Sequence, residues 1–329
     1  MISAFSRSYM YNYNYLKGEK MDTVKQMEIS PGMSVDSLTK MMMHCGFGAR
    51  RLGDAVNIYE TMLIDDYRKF FALSGAIVPA GMRNIISMLI SEGHIDVLVT
   101  TGANLVHDMI ESFGYHCLGS SDSDDVELRA AGLSRIYDVY LRDEDFIKFE
   151  EVMQSILPDT KEVLSGTEFI RLLGSKIEDR KSILRSAYDQ NVPIFCPALA
   201  DSMLGLQAWL HTQTKNLHVD VFADIKEVVD ICHQSPKSGI VILGGGVPKN
   251  FALQSMLVTP KSFDLAIQLT TDTPEAGGLS GATLSEAISW GKLSSTARYV
   301  TVYGDATINF PLLAAATISR LRNNIENIK

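Results

Sequence analysis

Short apolar runs alternate with stretches of helical periodicity along most of this chain, and that alternation restricts the fold more than any other feature. The runs cover residues 69–76, 95–100, 193–196, 239–243, 263–269 and 298–303, with a shorter one at 219–221. Between them, apolar residues spaced three and four apart predict helices over 79–92, 103–113, 143–156, 161–173, 179–189, 202–212, 225–233, 248–256 and 309–324. The first of these carries a proline in its opening turn, where a missing N–H is tolerated. Residues 35–67 read as helical, with a break near Gly46 to Gly48. A strand that returns to its sheet after a helix runs parallel to its predecessor, and a sheet built that way is covered on both faces. The expectation is one large α/β domain over 35–329, with a mostly parallel sheet between helical layers and a helical extension at the N-terminal side.

Residues 1–34 are set apart as an N-terminal extension, partly disordered, with Met21 as an alternative start. Its first twenty residues mix Tyr, Asn and Ser without a period, and no apolar core or cleavage site marks a secretory signal. No apolar run reaches about 18 residues, so no membrane-spanning helix is expected. The net charge of −9 argues against a nucleic-acid binder, which needs a basic face. The four cysteines are scattered and the seven histidines follow no ligand spacing, so no metal is expected, and reduced thiols point to the cytoplasm. The acidic stretch 120–127 reads as a solvated loop.

In open parallel sheets, ligands bind beyond the carboxyl ends of the strands. The residues at those places are Ser74-Gly75-Ala76, Thr100-Thr101-Gly102-Ala103, Pro197 to Asp201, Gly244 to Asn250, Thr270-Thr271-Asp272 and Gly304-Asp305-Ala306. Small residues let a backbone approach a ligand, and the helix N-termini that follow favour phosphate. Any one of these loops reads as an ordinary strand-to-helix turn. Six together fit a dinucleotide site in a Rossmann-like domain, although no G-x-G-x-x-G follows the first strand. Asp201 and Asp305 are candidates for ribose or amide hydrogen bonds, and His107-Asp108 reads either as a ligand contact or as a helix-surface pair.

A glycine-rich loop, Gly277 to Thr283, leads into Glu286-Ala287-Ile288-Ser289-Trp290-Gly291-Lys292. Alone, Trp-Gly-Lys reads first as a surface lysine at a helix end. A lysine desolvated against an indole is also a poor cation and a good nucleophile, able to form imines.

Taken in order, F-G-A-R-R-L-G-D-A-V (47–56), D-V-L-V-T-T (96–101), P-A-L-A-D (197–201), I-L-G-G-G-V-P-K (242–249), S-G-A (280–282) with E-A-I-S-W-G-K (286–292), and V-Y-G-D-A (302–306) resemble the deoxyhypusine synthase family. The resemblance implies NAD-dependent aminobutyl transfer. Spermidine is oxidised to an imine, diaminopropane leaves, and the butyl group is held on an enzyme lysine. It then passes to a lysine of the initiation factor 5A precursor and is reduced. Lys292 falls on the nucleophile. Glu286, Trp290, Asn250, Gly277 and Gly278 fall on polyamine-contacting positions, and His107 on a family glutamate that touches both ligands. Gly75, Ala76, Thr101, Gly102, Ala103, Asp201, Gly245, Thr271, Ser280, Asp305 and Ala306 fall on positions that bind NAD or line its pocket. The family pattern also implies a homotetramer with active sites shared between two subunits.

Four departures bear on the substrate. Leu206 and Leu279 stand where the family carries acidic residues, Asn250 where it carries a substrate-contacting histidine, and Ala76 where an asparagine meets NAD. Two leucines in place of carboxylates remove cation anchors, which Asp272 or Glu275 would have to replace. The pattern is that of a divergent archaeal or bacterial branch, some members of which pass the aminobutyl group to a small amine such as putrescine, giving homospermidine. A non-catalytic regulatory paralogue is the remaining alternative, against which the intact Lys292 and Glu286 count.

Overall fold

The computed structural model describes residues 22–326. The strands are β1 (Arg68–Leu73), β2 (Val97–Thr100), β3 (Cys117–Leu118), β4 (Leu133–Ile136), β5 (Val139–Arg142), β6 (Val163–Ser165), β7 (Ile194–Phe195), β8 (His218–Asp220), β9 (Ser238–Leu243), β10 (Phe263–Thr270) and β11 (Leu293–Tyr303). Six of them form one sheet in the order β11-β10-β9-β1-β2-β7, and every neighbouring pair is parallel. From β1 the chain builds outward through β2 to β7. It then returns to the other side of β1 and builds outward again through β9, β10 and β11. The direction of winding therefore switches between β1 and β9, as in a doubly wound dinucleotide-binding sheet.

Strand pleating divides the core into two. Phe71, Leu73, Val241, Leu243, Ile267 and Leu269 point to one face, where the helices Phe47–Ile64, Arg83–Ser91 and Ala306–Glu326 pack. Phe70, Ala72, Ile240, Ile242 and Ala266 point to the other, against Ala223–Gln234, Gly246–Gln254 and Leu284–Ser289. Every residue of β2 and β9 is buried, which is why these strands read as unbroken apolar runs. Among the described residues, no helix is long and apolar enough to cross a membrane.

The expected break in the first helical stretch separates Val35–Met42 from Phe47–Ile64. A buried network ties this segment to the last helix. Arg320, 3% exposed, donates to Asp36, to Asn57 Oδ1 at 2.6 Å and to Glu60 Oε2 at 3.1 Å. Residues 22–34 carry no helix or strand. The reading of the first twenty residues as a tail lies outside the described residues.

Three expectations need correction. The helix expected over 161–173 begins as β6, which pairs with β8, and turns helical only at Gly166, where Ser165 and Glu168 form a capping box. The acidic stretch is not all loop, because Asp124 caps a helix over Asp125–Ala130. That helix is followed by a hairpin, and β3, β5 and β4 form a small antiparallel sheet that periodicity did not reveal. The helix expected over 79–92 is divided, because Gly81 adopts φ 91° and the regular α-helix starts only at Arg83.

Candidate functional site

The crevice at the switch point is a cleft of about 790 Å³. Gly75 and Ala76 line it from the end of β1, Gly244 from the end of β9, Thr271 and Asp272 after β10, and Asp305 and Ala306 after β11. Gly75 has φ 77°, and a Cβ built on it meets no protein atom within 4 Å, so its backbone is bare where it borders the cleft. Ser74 staples the two central loops, donating to Leu243 O at 2.9 Å and accepting from Gly245 N at 2.7 Å. Asp305 is partly engaged as a helix cap, accepting from Thr307 N at 2.8 Å and Thr307 Oγ1 at 2.9 Å. Bare glycine backbone, helix N-termini and carboxylates at a switch point are what a dinucleotide needs, and Gly75, Thr271 and Asp305 are the lining residues that could hold one.

Thr101, Gly102, Ala103 and Asp201 follow β2 and β7 along the same edge but do not line this cleft. Gly102 serves close packing, since a Cβ there would lie 2.3 Å from the Ser202 side chain. Gly245 and Ser280 are likewise pressed together, and a Cβ on Gly245 would lie 2.3 Å from Ser280 Cα. Gly245→Ala must therefore displace the loop 277–283, and it is expected to weaken dinucleotide binding at least about tenfold by fluorescence titration. Unchanged affinity in that variant would show that the contact is not needed.

The lysine lies elsewhere. Leu284–Ser289 is capped by Thr283 and closed by a Schellman motif: Gly291 N donates to Ile288 O at 2.9 Å, Lys292 N to Ala287 O at 2.9 Å, and Gly291 has φ 73°. This geometry explains the glycine between Trp290 and Lys292, because only a left-handed residue lets the chain turn there into β11. Lys292 Nζ donates to Asn250 Oδ1 at 3.4 Å and sits 5.7 Å from the centroid of the Trp290 ring. Sequence reasoning expected Lys292 to be desolvated, but it is only partly buried, Trp290 is 63% exposed, and Glu286 is exposed.

The buried lysine among the described residues is Lys249, 4% exposed, which the sequence placed in the stretch 242–249 without a role of its own. Its Nζ donates to Ala282 O and to Gln268 Oε1 at 3.1 Å, while Gln268 Nε2 donates to Gly244 O and Ser280 O. Burial pushes the Lys249 ammonium down to about 8, with Glu286 opposing and the Lys292 charge adding to the fall. The signal available in the sequence was Gln268, a polar residue within an apolar strand.

Gly277 and Gly278 lie in an exposed turn, and Leu206 and Leu279 are exposed. Asp272 lies in the cleft wall and accepts from Ser280, whereas Glu275 is exposed. Asp108 is neither a ligand contact nor a surface residue. It is fully buried and accepts from Arg83 Nε at 2.6 Å, Ser182 Oγ at 2.7 Å, Ile183 N at 2.8 Å and Leu184 N at 2.9 Å. Its neighbour His107 bonds through Nδ1 to His116 Nε2 at 2.9 Å.

Lys292, Trp290, Glu286 and Asn250 do not border the switch-point cleft. Lys292 precedes Leu293, which pairs with Phe263 at the amino edge of the sheet. The cleft lies past Thr270 at the carboxyl edge, whereas the Lys292 amine reaches back to Asn250, four residues into the helix that opens after β9, without lining the cleft.

A family model for deoxyhypusine synthase matches residues 37–317. The chain is 54% identical over 303 residues to "Probable deoxyhypusine synthase 1" of Methanosarcina acetivorans, covering 91% of this chain and 95% of that protein. It is 45% identical over 298 residues to a protein of the same name from Archaeoglobus fulgidus, covering 90% of this chain and 98% of the relative. In fold it is similar to a crystal structure described as "a putative deoxyhypusine synthase from Entamoeba histolytica", with TM-score 0.66, 19% identity, and coverage of 90% and 97%. The match runs from the first packed helix through the glycine loops and Lys292 into the closing helix, and the chain belongs to the deoxyhypusine synthase family of aminobutyltransferases.

Proposed function

We propose that this protein uses NAD to transfer the aminobutyl group of spermidine to a lysine of the initiation factor 5A precursor, through an imine on Lys292. The observation that carries the reading is the Lys292 amine, presented by a Schellman turn beside the Trp290 ring and the Asn250 carbonyl, in a chain of this family. NAD, when bound in the switch-point cleft, supplies the hydride acceptor and later the donor. Trp290 offers a π face to a cationic amine, and Glu286 a carboxylate six residues before the nucleophile. Asn250 accepts from the lysine amine and orients it. Lys249 fixes the loop 277–283 through Ala282 O, and burial lowers its ammonium from the ordinary lysine range to about 8.

The same reading makes the enzyme a cytoplasmic homotetramer with active sites shared between subunits. Its support is the separation of the lysine from the cleft within one chain. A second copy that brings its lysine edge to the cleft of the first completes the site.

Exposed Leu206 and Leu279, where the family pattern has carboxylates, favour a second reading in which a small amine such as putrescine is the acceptor. Labelled spermidine, NAD and the purified enzyme separate the two. Label transferred to the factor 5A precursor supports the first, and homospermidine the second. Absence of diaminopropane under both conditions would refute both.

A further inference from the structure

Four carboxylates (Glu111, Asp138, Asp272 and Asp305) and one guanidinium (Arg83) border the switch-point cleft. Most of these are accounted for. Arg83 donates to Asp108 Oδ1 at 2.6 Å, Asp179 Oδ2 at 2.7 Å, Asp108 O at 3.0 Å and Ser112 Oγ at 2.9 Å. Asp305 caps a helix, Asp272 accepts from Ser280, and Asp138 is exposed, so solvent screens its charge. Glu111 differs from these. Its side chain is 28% exposed, Oε1 accepts from His116 Nδ1 and from His116 N at 2.9 Å, and among the described residues Oε2 has no hydrogen-bond partner.

The histidines behind it form an ordered chain. With Nδ1–H donated to Glu111, the Nε2 of a neutral His116 is an acceptor. The 2.9 Å contact is then filled by Nδ1–H of His107. The two rings fix the carboxylate from behind through Oε1 and leave Oε2 open on the side of the cleft that Glu111 borders. We propose that Glu111 is the cation anchor of the cleft: its Oε2 takes an ammonium group of the polyamine, with His116 and His107 as positioning residues. The assignment rests on the polyamine-transferase reading above and adds a residue that the family resemblance does not supply.

The electrostatics agree. Burial pushes His107 down to about 4, with the neighbouring His116 adding to the fall and Glu111 opposing it, so the outer ring is uncharged at neutral pH. Burial works against the Glu111 anion, but hydrogen bonds from the His116 side chain and backbone, with the charges of His116 and Arg83, outweigh it and hold the carboxyl below its usual range. A carboxyl depressed in this way keeps its charge through neutral and mildly acidic pH and loses it only below the ordinary carboxylate range.

The test is calorimetric titration of the full-length protein with spermidine in the presence of NADH, which cannot oxidise the amine. Glu111→Gln is expected to weaken spermidine about 10- to 100-fold, the range for a hydrogen bond to a charged group, while NADH affinity stays within about twofold. Asp138→Asn, which removes an exposed carboxylate of the same cleft, is expected to change spermidine affinity less than about threefold. His116→Phe removes the side-chain hydrogen bond that depresses the Glu111 carboxyl, so spermidine affinity should begin to fall at a higher pH than in the wild type. Glu111→Gln binding as tightly as the wild type, with NADH affinity intact, overturns the anchor alone, as does an unaltered pH dependence in His116→Phe. A wild-type protein that binds NADH but no spermidine overturns the polyamine reading and the anchor with it.

Discussion

Replacing Lys292 with alanine is expected to lower aminobutyl transfer by at least roughly 1,000-fold, because no other described group is placed to carry the butyl imine. The same variant should bind NAD within about twofold of the wild type, because Lys292 is not among the residues that line the cleft of its own chain. Lys292→Arg should be equally inactive, since a guanidinium does not deprotonate and forms no imine. The contrast with Lys249 is informative. Lys249 is the more deeply buried amine, but its Nζ is occupied by Ala282 O and Gln268 Oε1, whereas among the described residues Lys292 meets Asn250 Oδ1 at 3.4 Å and one ring face. Steady-state rates with labelled spermidine and NAD fluorescence titrations measure the two halves of this expectation. Transfer surviving in Lys292→Ala would assign the chemistry to another amine, with Lys249 the first to examine.

The largest stability effect is expected at Asp108. Its carboxylate pairs with Arg83 and caps the helix Ile183–Gln190 through two backbone amides and Ser182 Oγ. Asp108→Ala leaves Arg83, itself 7% exposed, with one carboxylate partner instead of two, and strips Ile183 N and Leu184 N of their acceptor. Breaking a buried pair of this kind costs about 3–5 kcal/mol. Urea denaturation of the mutant measures it, and a midpoint equal to that of the wild type would contradict this account of the hub. Arg83 and Glu111 both border the cleft, so partial disorder of this corner should also appear as weaker ligand binding.

The parallel sheet was legible because its strands are buried on both faces, and unbroken apolar runs such as 239–243 have few other readings. The antiparallel sheet escaped notice because β3 is only two residues long and β4 and β5 are mostly half-exposed, leaving no clear alternation. The small residues at the carboxyl edge of the sheet were legible, although Gly102 and Gly245 turn out to bring loops together rather than to lie bare. Lys292 stood out because of its tryptophan and glycine. Its degree of burial did not, because solvent exposure depends on the helices Gly246–Gln254 and Leu284–Ser289 that pack beside it. The Glu111–His116–His107 chain left no linear signal, because its members meet only where the helix Gly102–Ile110 ends and the chain folds back toward β3.

Lys292 as the covalent centre is the claim on which the rest depends, and trapping tests it most directly. The enzyme is incubated with NAD and labelled spermidine, reduced with borohydride, digested and sequenced by mass spectrometry. The account predicts one labelled lysine, Lys292, with a reduced aminobutyl adduct that requires both NAD and spermidine. An adduct on Lys249 or another lysine, or release of diaminopropane without any adduct on Lys292, would contradict it.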